Sequence, residues 1–269
     1  MSGGFADING AKINYEFEGT GSALVMIHAG IADLRMWDDQ FLGFAQNFKT
    51  IRYDMRGYGK TAPVEGDYSS HEDLYALLQY LHIEKAFVMG CSKGGSVAMD
   101  FTLQYPEMTS ALIMVCSAPA GFEYESPAPT PPIWDELVAA WKAGNVEKVA
   151  ALDMQINVVG LTRTPNQVDA SVRDKVIEMN LIALKNEQLG LGKKVELDPP
   201  AAQRLGEIKV PTLLIVGQYD LPDVIAAGDF MAANITGAQK IVMPTGHIPS
   251  MERPHEFSQQ VRNFLQGLQ

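Results

Sequence analysis

The sequence predicts an α/β protein: a mostly parallel central sheet flanked by helices, with a helical cap inserted into it. Three observations carry this. Short continuous apolar runs recur along the chain, as they do in strands covered on both faces. Helical patterns separate several of them, the alternation expected of a parallel sheet. One stretch, from about Ala120 to Gly206, breaks the alternation and offers helical patterns alone.

The elements follow in order. Phe5 to Ile8 and Ala11 to Phe17 flank Asn9-Gly10, a pair suited to a type I′ hairpin turn. Ser2, Gly3 and Gly4, ahead of them, read as a flexible leader. The apolar runs are Ala23 to Ala29, Lys49 to Asp54, Lys85 to Cys91, Ala111 to Ala118, Pro211 to Gly217 and Gln239 to Pro244. Ser70 to Leu81 sets Leu74, Leu77, Leu78 and Leu81 on one helical face. Ser96 to Tyr105 is a second helix, stopped by Pro106, and His255 to Leu265 is the last. Within the insertion, a proline-rich linker precedes helical patterns near Ile133 to Lys142, Val146 to Gln155 and Val172 to Leu184. The expected division is a core of residues 1–119 and 207–269 around a cap of residues 120–206.

Bulk properties narrow the function. The chain has 269 residues, enough for a large apolar core without staples. A formal net charge of -11 repels phosphate backbones and anionic lipid headgroups, so nucleic acid and membrane surfaces are not expected partners. No window approaches 18 consecutive apolar residues, and the N-terminus lacks the basic start and apolar core of a signal peptide. The expected location is cytoplasmic. Cys91 and Cys116 both fall on or just after buried runs and form no disulfide framework.

The chemistry centres on Gly90-Cys91-Ser92-Lys93-Gly94, which matches G-x-S-x-G between a strand and a helix. A sharp turn there strains the serine backbone and lifts Oγ clear of the sheet. The positions two residues either side must be small. A serine nucleophile needs a base. Of five histidines, His71, His82 and His255 fit surface or capping roles, and His28 ends an early strand. His247 follows a strand and precedes the last helix, where strand-end loops carry chemistry in open α/β sheets. Asp220, three residues past the end of another strand run, is the expected orienter, with Asp223 as its rival. The order Ser92, Asp220, His247 is the order described for this motif.

With these residues in view, the chain resembles the α/β-hydrolase superfamily along essentially its whole length. Beyond Gly90 to Gly95, the resemblance rests on Leu24 to Gly30 (LVMIHAG), on Asp54 to Thr61 (DMRGYGKT), on Val210-Pro211-Thr212 to Asp220, and on Gly246-His247 through Glu252-Arg253-Pro254. The pattern is most similar to small esterases and 3-oxoadipate enol-lactonase-like members, in which the helical insertion caps the site. The resemblance implies an oxyanion hole made by the backbone N–H groups of Gly30 and Lys93. Two departures stand out. The family usually has glycine where Ala29 stands, and a left-handed conformation there would strain an alanine. It often has an apolar residue at position 93. A Lys93 ammonium reaching the pocket would favour substrates carrying a carboxylate, whereas one directed to water would have no such effect.

The expected activity is hydrolysis of a small carboxylic ester or lactone through an acyl-enzyme, with no metal and no organic cofactor. A cofactor-free perhydrolase or a C–C bond hydrolase would use the same three residues. A non-catalytic ligand receptor on this fold is the reading from another class. Phe122, Trp134, Trp141, Met154 and Met179 in the insertion are expected mostly to pack it, and only in part to line an apolar pocket.

Overall fold

In the computed structural model, which describes residues 2–268, the strands are β1 (Ser2–Ile8), β2 (Ala11–Glu18), β3 (Ala23–Ile27), β4 (Lys49–Tyr53), β5 (Asp67–Tyr68), β6 (Ala86–Cys91), β7 (Thr109–Val115), β8 (Lys193–Lys194), β9 (Thr212–Gly217) and β10 (Gln239–Met243). The helices are α1 (Asp38–Phe44), α2 (Ser70–Tyr80), α3 (Lys93–Gln104), α4 (Ile133–Lys142), α5 (Val146–Asp153), α6 (Ala170–Glu187), α7 (Pro222–Asn234), α8 (Pro249–Glu252) and α9 (Pro254–Gln266).

Eight strands form one sheet in the order β1-β2-β4-β3-β6-β7-β9-β10. β2 runs antiparallel to both β1 and β4, and every other pairing is parallel. Every residue of β3, β6 and β9 is buried. The reason is that alternate side chains enter two different cores. Leu24, Met89 and Ile215 pack on one face with Trp37, Phe41 and Phe257, while Val25, Val88 and Leu214 pack on the other with Leu74, Val97 and Phe101. A strand covered on both faces needs apolar residues at every position, which is what the continuous runs encode.

Several details depart from expectation. Ser2, Gly3 and Gly4 are not a loose leader, since they pair with Phe17, Glu16 and Tyr15 in the β1–β2 hairpin. Its turn has positive φ at both Asn9 (46°) and Gly10 (83°), as a type I′ turn requires. The 120–206 stretch does contain a strand: β8 pairs in parallel with β5, a ladder of two residues that shows no sequence periodicity. α7 carries no predictive stripe because it is apolar or small on most sides, and its Gly228 lies against the Val216 side chain. α3 begins at Lys93, ahead of the predicted start at Ser96.

Between β7 and β9, α4, α5 and α6 share a small apolar cluster of their own that includes Ala140, Val149 and Leu184. Met154 and Met179 leave it to join the main core. Phe122 meets Phe230 of α7 with ring centroids 5.2 Å apart, whereas Trp141 is exposed. α5 runs on into a π-helical segment, Met154–Val159, a wider winding found often at functional sites.

Candidate active site

Because six strands are parallel, their carboxyl ends share one edge of the sheet. Ser92 lies there, between the end of β6 and the start of α3, with φ 52° and ψ -120°. That conformation is sparsely populated by L-residues and persists only where its surroundings enforce it. Here the Ser92 N–H donates to Val115 O at 2.9 Å, and its carbonyl accepts from Ser117 Oγ at 2.7 Å. A Cβ on Gly90 would collide with the Gly94 carbonyl, and one on Gly94 with the carbonyls of Ile27 and His28. Small residues at both positions let the strand, the turn and the helix close upon one another. Lys93 opens α3, so its N–H is one of the helix-start donors with no intrahelical acceptor.

His247 and Asp220 are joined directly. His247 Nδ1 lies 2.9 Å and 3.0 Å from the two Asp220 carboxylate oxygens. Both side chains are buried, and Asp220 Oδ1 also accepts from the Leu221 N–H at 2.8 Å. Asp223, the rival carboxylate, is exposed in the first turn of α7. Burial pulls the His247 pKa down, but the Asp220 carboxylate outweighs it and holds the imidazole above its ordinary value. The two loops meet backbone to backbone, since a Cβ on Gly217 would strike the Gly246 carbonyl.

The residue before Ser92 touches the histidine loop. The Cys91 thiol donates to the His247 carbonyl at 3.5 Å, and the Cys116 thiol to the Gly246 carbonyl at 3.7 Å. Both cysteines are free and buried, and desolvation raises both thiol pKa values. No hydrogen bond from Ser92 Oγ to His247 is formed among the described residues. Such contacts are often long without substrate and tighten in the bound complex.

The loop carrying His247 has a second anchor, formed by two residues to which the sequence assigned no role. Arg163 and Glu252 make a buried ion pair, Nη1 to Oε2 at 2.7 Å. Glu252 Oε1 also accepts from the Gly246 N–H at 2.7 Å, and Arg163 donates to the carbonyls of Val158 and Val159. The His247 N–H donates to Asn157 O at 3.1 Å. The histidine loop is therefore tied to the π-helical segment through both backbone and ion pair. Glu252 lay in the matched stretch ending at Pro254, but its partner 89 residues away left no local signal.

On the other side of Ser92, the Gly30 loop is fixed by His28. That side chain is fully buried: Nε2 accepts from the Met55 N–H at 3.0 Å and Nδ1 donates to Ala29 O at 2.8 Å. Desolvation lowers the His28 pKa, in keeping with a neutral structural imidazole. Ala29 is not left-handed, so its extra methyl strains nothing; it is buried, and its N–H meets Met36 Sδ at 3.2 Å. Gly30 packs against Lys93, whose Cβ lies 3.5 Å from where a Gly30 Cβ would sit. Among the other histidines, His82 is an exposed left-handed residue after α2 and His255 is exposed. His71 is buried rather than on the surface. Among the described residues, no three His, Cys, Asp or Glu side chains converge as a metal site, and no helix is long and apolar enough to cross a membrane.

A family model described as alpha/beta hydrolase fold matches residues 22–254. The chain belongs to the α/β-hydrolase family. Its relatives span more than one chemistry. The chain is 25% identical over 255 residues to 3-oxoadipate enol-lactonase 1 of Acinetobacter baylyi, covering 92% of this chain and 90% of that one. It is 26% identical over 271 residues to 2-hydroxy-6-oxo-6-phenylhexa-2,4-dienoate hydrolase of Burkholderia cepacia, covering 94% and 91%. The crystal structure of the enol-lactonase from Burkholderia xenovorans LB400 superposes with a TM-score of 0.78 at 22% identity, covering 98% of this chain and all of that one, a likeness of fold. This α/β hydrolase thus has relatives named as an enol-lactonase and as a dienoate hydrolase.

Proposed function

We propose that this α/β hydrolase cleaves a small carboxylic ester or lactone with Ser92 as nucleophile, His247 as base and Asp220 as the acid that orients it. The observation that carries the proposal is the strained Ser92 at the start of α3, on the sheet edge that also bears the hydrogen-bonded His247–Asp220 pair. His247 takes the Ser92 proton as Oγ attacks the carbonyl carbon. The backbone N–H groups of Gly30 and Lys93 hold the oxyanion. Collapse expels the alkoxide, which His247 protonates. Water activated by His247 then releases the acid. Residues 120–206 cap the site, a role supported by the ties from Arg163 and Asn157 to the histidine loop.

A second reading, C–C bond hydrolysis by the same residues, is favoured by the dienoate hydrolase relatives. Turnover of p-nitrophenyl esters, enol-lactones and vinylogous diketones by the purified protein separates the two. A fluorophosphonate is expected to label Ser92, and Ser92→Ala is expected to lower ester kcat by about 10^6-fold. Unlabelled Ser92, or full turnover by Ser92→Ala, would remove the proposal.

A further inference from the structure

Lys93 joins the proposed oxyanion site to a separate cavity. Its backbone N–H opens α3 beside Ser92, and its stem lies along Gly30, with Cδ 3.6 Å from where a Gly30 Cβ would sit. Its side chain then enters a cavity of about 240 Å³ between the loop after β4 and the carboxyl end of α6, lined by Arg56, Tyr58, Tyr68, Lys93, Asn186 and Glu187. That volume suits a short chain, being below the ~300 Å³ where drug-sized pockets begin.

The charge in this cavity is distributed unequally. Arg56 is committed to Asp73 through two contacts of 2.6 Å and 2.8 Å, with both side chains buried, so its charge is already balanced. Lys175 and Lys194 each meet a carboxylate elsewhere. The Lys93 ammonium instead donates to a phenol, Tyr58 Oη, at 2.7 Å. Tyr58 is itself steadied by the buried His28 ring, with centroids 4.9 Å apart. Asn186 Nδ2, donating to Gly57 O at 3.0 Å, joins the end of α6 to the same loop. Glu187, in the cavity wall, attracts Lys93 through space, and both residues are exposed, so water screens that attraction. The result is a cation hydrogen-bonded to a neutral hydroxyl, with the Glu187 carboxylate acting on it only through space.

We propose that Lys93 binds a carboxylate carried by the substrate, which makes the preferred substrate a short ester or lactone that also bears a free acid. This rests on Ser92 being the nucleophile. The oxyanion donor and the ammonium belong to one residue, so the span of the four-carbon lysine stem sets the spacing between the reacting carbonyl and the free acid. A short dicarboxylic half-ester meets that spacing. An ion pair at an exposed lysine contributes up to about fivefold in affinity.

The experiment compares kcat/KM for p-nitrophenyl hydrogen glutarate and p-nitrophenyl pentanoate. The wild-type protein is expected to prefer the acid-bearing ester about two- to fivefold. Lys93→Met and Lys93→Gln are expected to lose that ratio and Lys93→Arg to keep most of it. Glu187→Gln, remote from the reacting atoms, is expected to increase it. Added salt weakens the preference in the wild type. No preference in the wild type, or an equal preference in Lys93→Met and Lys93→Gln, overturns the inference while leaving the serine mechanism standing. If the wild type turns over neither ester and Ser92 resists a fluorophosphonate, the serine reading fails and this inference falls with it.

Discussion

Glu252 binds Arg163 and the Gly246 N–H at once, so one buried carboxylate fixes the backbone next to His247 and the chain that follows the π-helical segment. Removing one partner of a buried pair strands the other charge, at a cost of about 3–5 kcal/mol. Glu252→Ala and Arg163→Ala are each expected to lower the urea midpoint. The double variant is expected to lose less than the sum of the singles, because the second removal relieves a charge already stranded. Ester kcat is also expected to fall in Glu252→Ala, since Gly246 loses its acceptor. An unchanged midpoint and unchanged kcat would show that the histidine loop holds its place without the pair.

The pH dependence of the reaction follows from His247. Only the unprotonated imidazole can accept the Ser92 proton. Burial lowers its pKa, but Asp220 outweighs burial and leaves the value raised. A raised value means protonation persists further into neutral pH, so kcat/KM is expected to rise with pH through an apparent pKa above 6.5. In Asp220→Asn the burial contribution stays and the carboxylate goes. The acid limb is therefore expected to move below 6.5, while kcat drops about 10^4-fold through the wrong tautomer. A pH–rate profile of both proteins checks this, and an acid limb unmoved by Asp220→Asn would contradict it.

What could be read from the sequence depended on whether each feature had a local signature. β3, β6 and β9 were legible because two-faced burial demands apolar residues at every position. Ser92 and Asp220 were legible as candidates because each follows the end of a buried strand, and His247 because it sits in the loop between the largely exposed strand β10 and the last helices. α7 was not, since it lacks a polar face to contrast with its buried one. The β5–β8 ladder and the Arg163–Glu252 pair join distant segments through one or two residues each, too few to leave a pattern. His71 looked like a surface residue because its position in the first turn of α2 does not reveal what covers it.

The small residues around Ser92 make a sharper test than the serine itself. Gly90 and Gly94 are filled by neighbouring backbone that cannot retreat, as the flexible end of a side chain would. Gly90→Ala and Gly94→Ala are therefore expected to yield little soluble protein, or protein with a depressed Tm. Gly206→Ala, where nothing lies within 4 Å of the added carbon, is expected to match the wild type. Equal yields and Tm values for all three variants would contradict the close approach of strand, turn and helix.

Asp100 gives the last test. It lies on α3, buried, with Oδ1 lacking a hydrogen-bond partner, and desolvation raises its pKa from 3.8 to about 6 despite Lys194 and Arg204. The sign follows from proton counting. Between pH 3.8 and about 6 the folded state holds the Asp100 proton and the unfolded state has released it. This group's contribution to stability therefore falls as pH rises through that window and stays at its low value above it. A shift of this size corresponds to at most ~3 kcal/mol. Asp100→Asn removes the ionisation while keeping the shape, so it is expected to raise Tm at pH 7.5 and to change it little at pH 4. Thermal unfolding of both proteins at the two pH values measures the difference. A Tm gain that is equal at both, or larger at pH 4, would show that the buried carboxylate is not what limits stability at neutral pH.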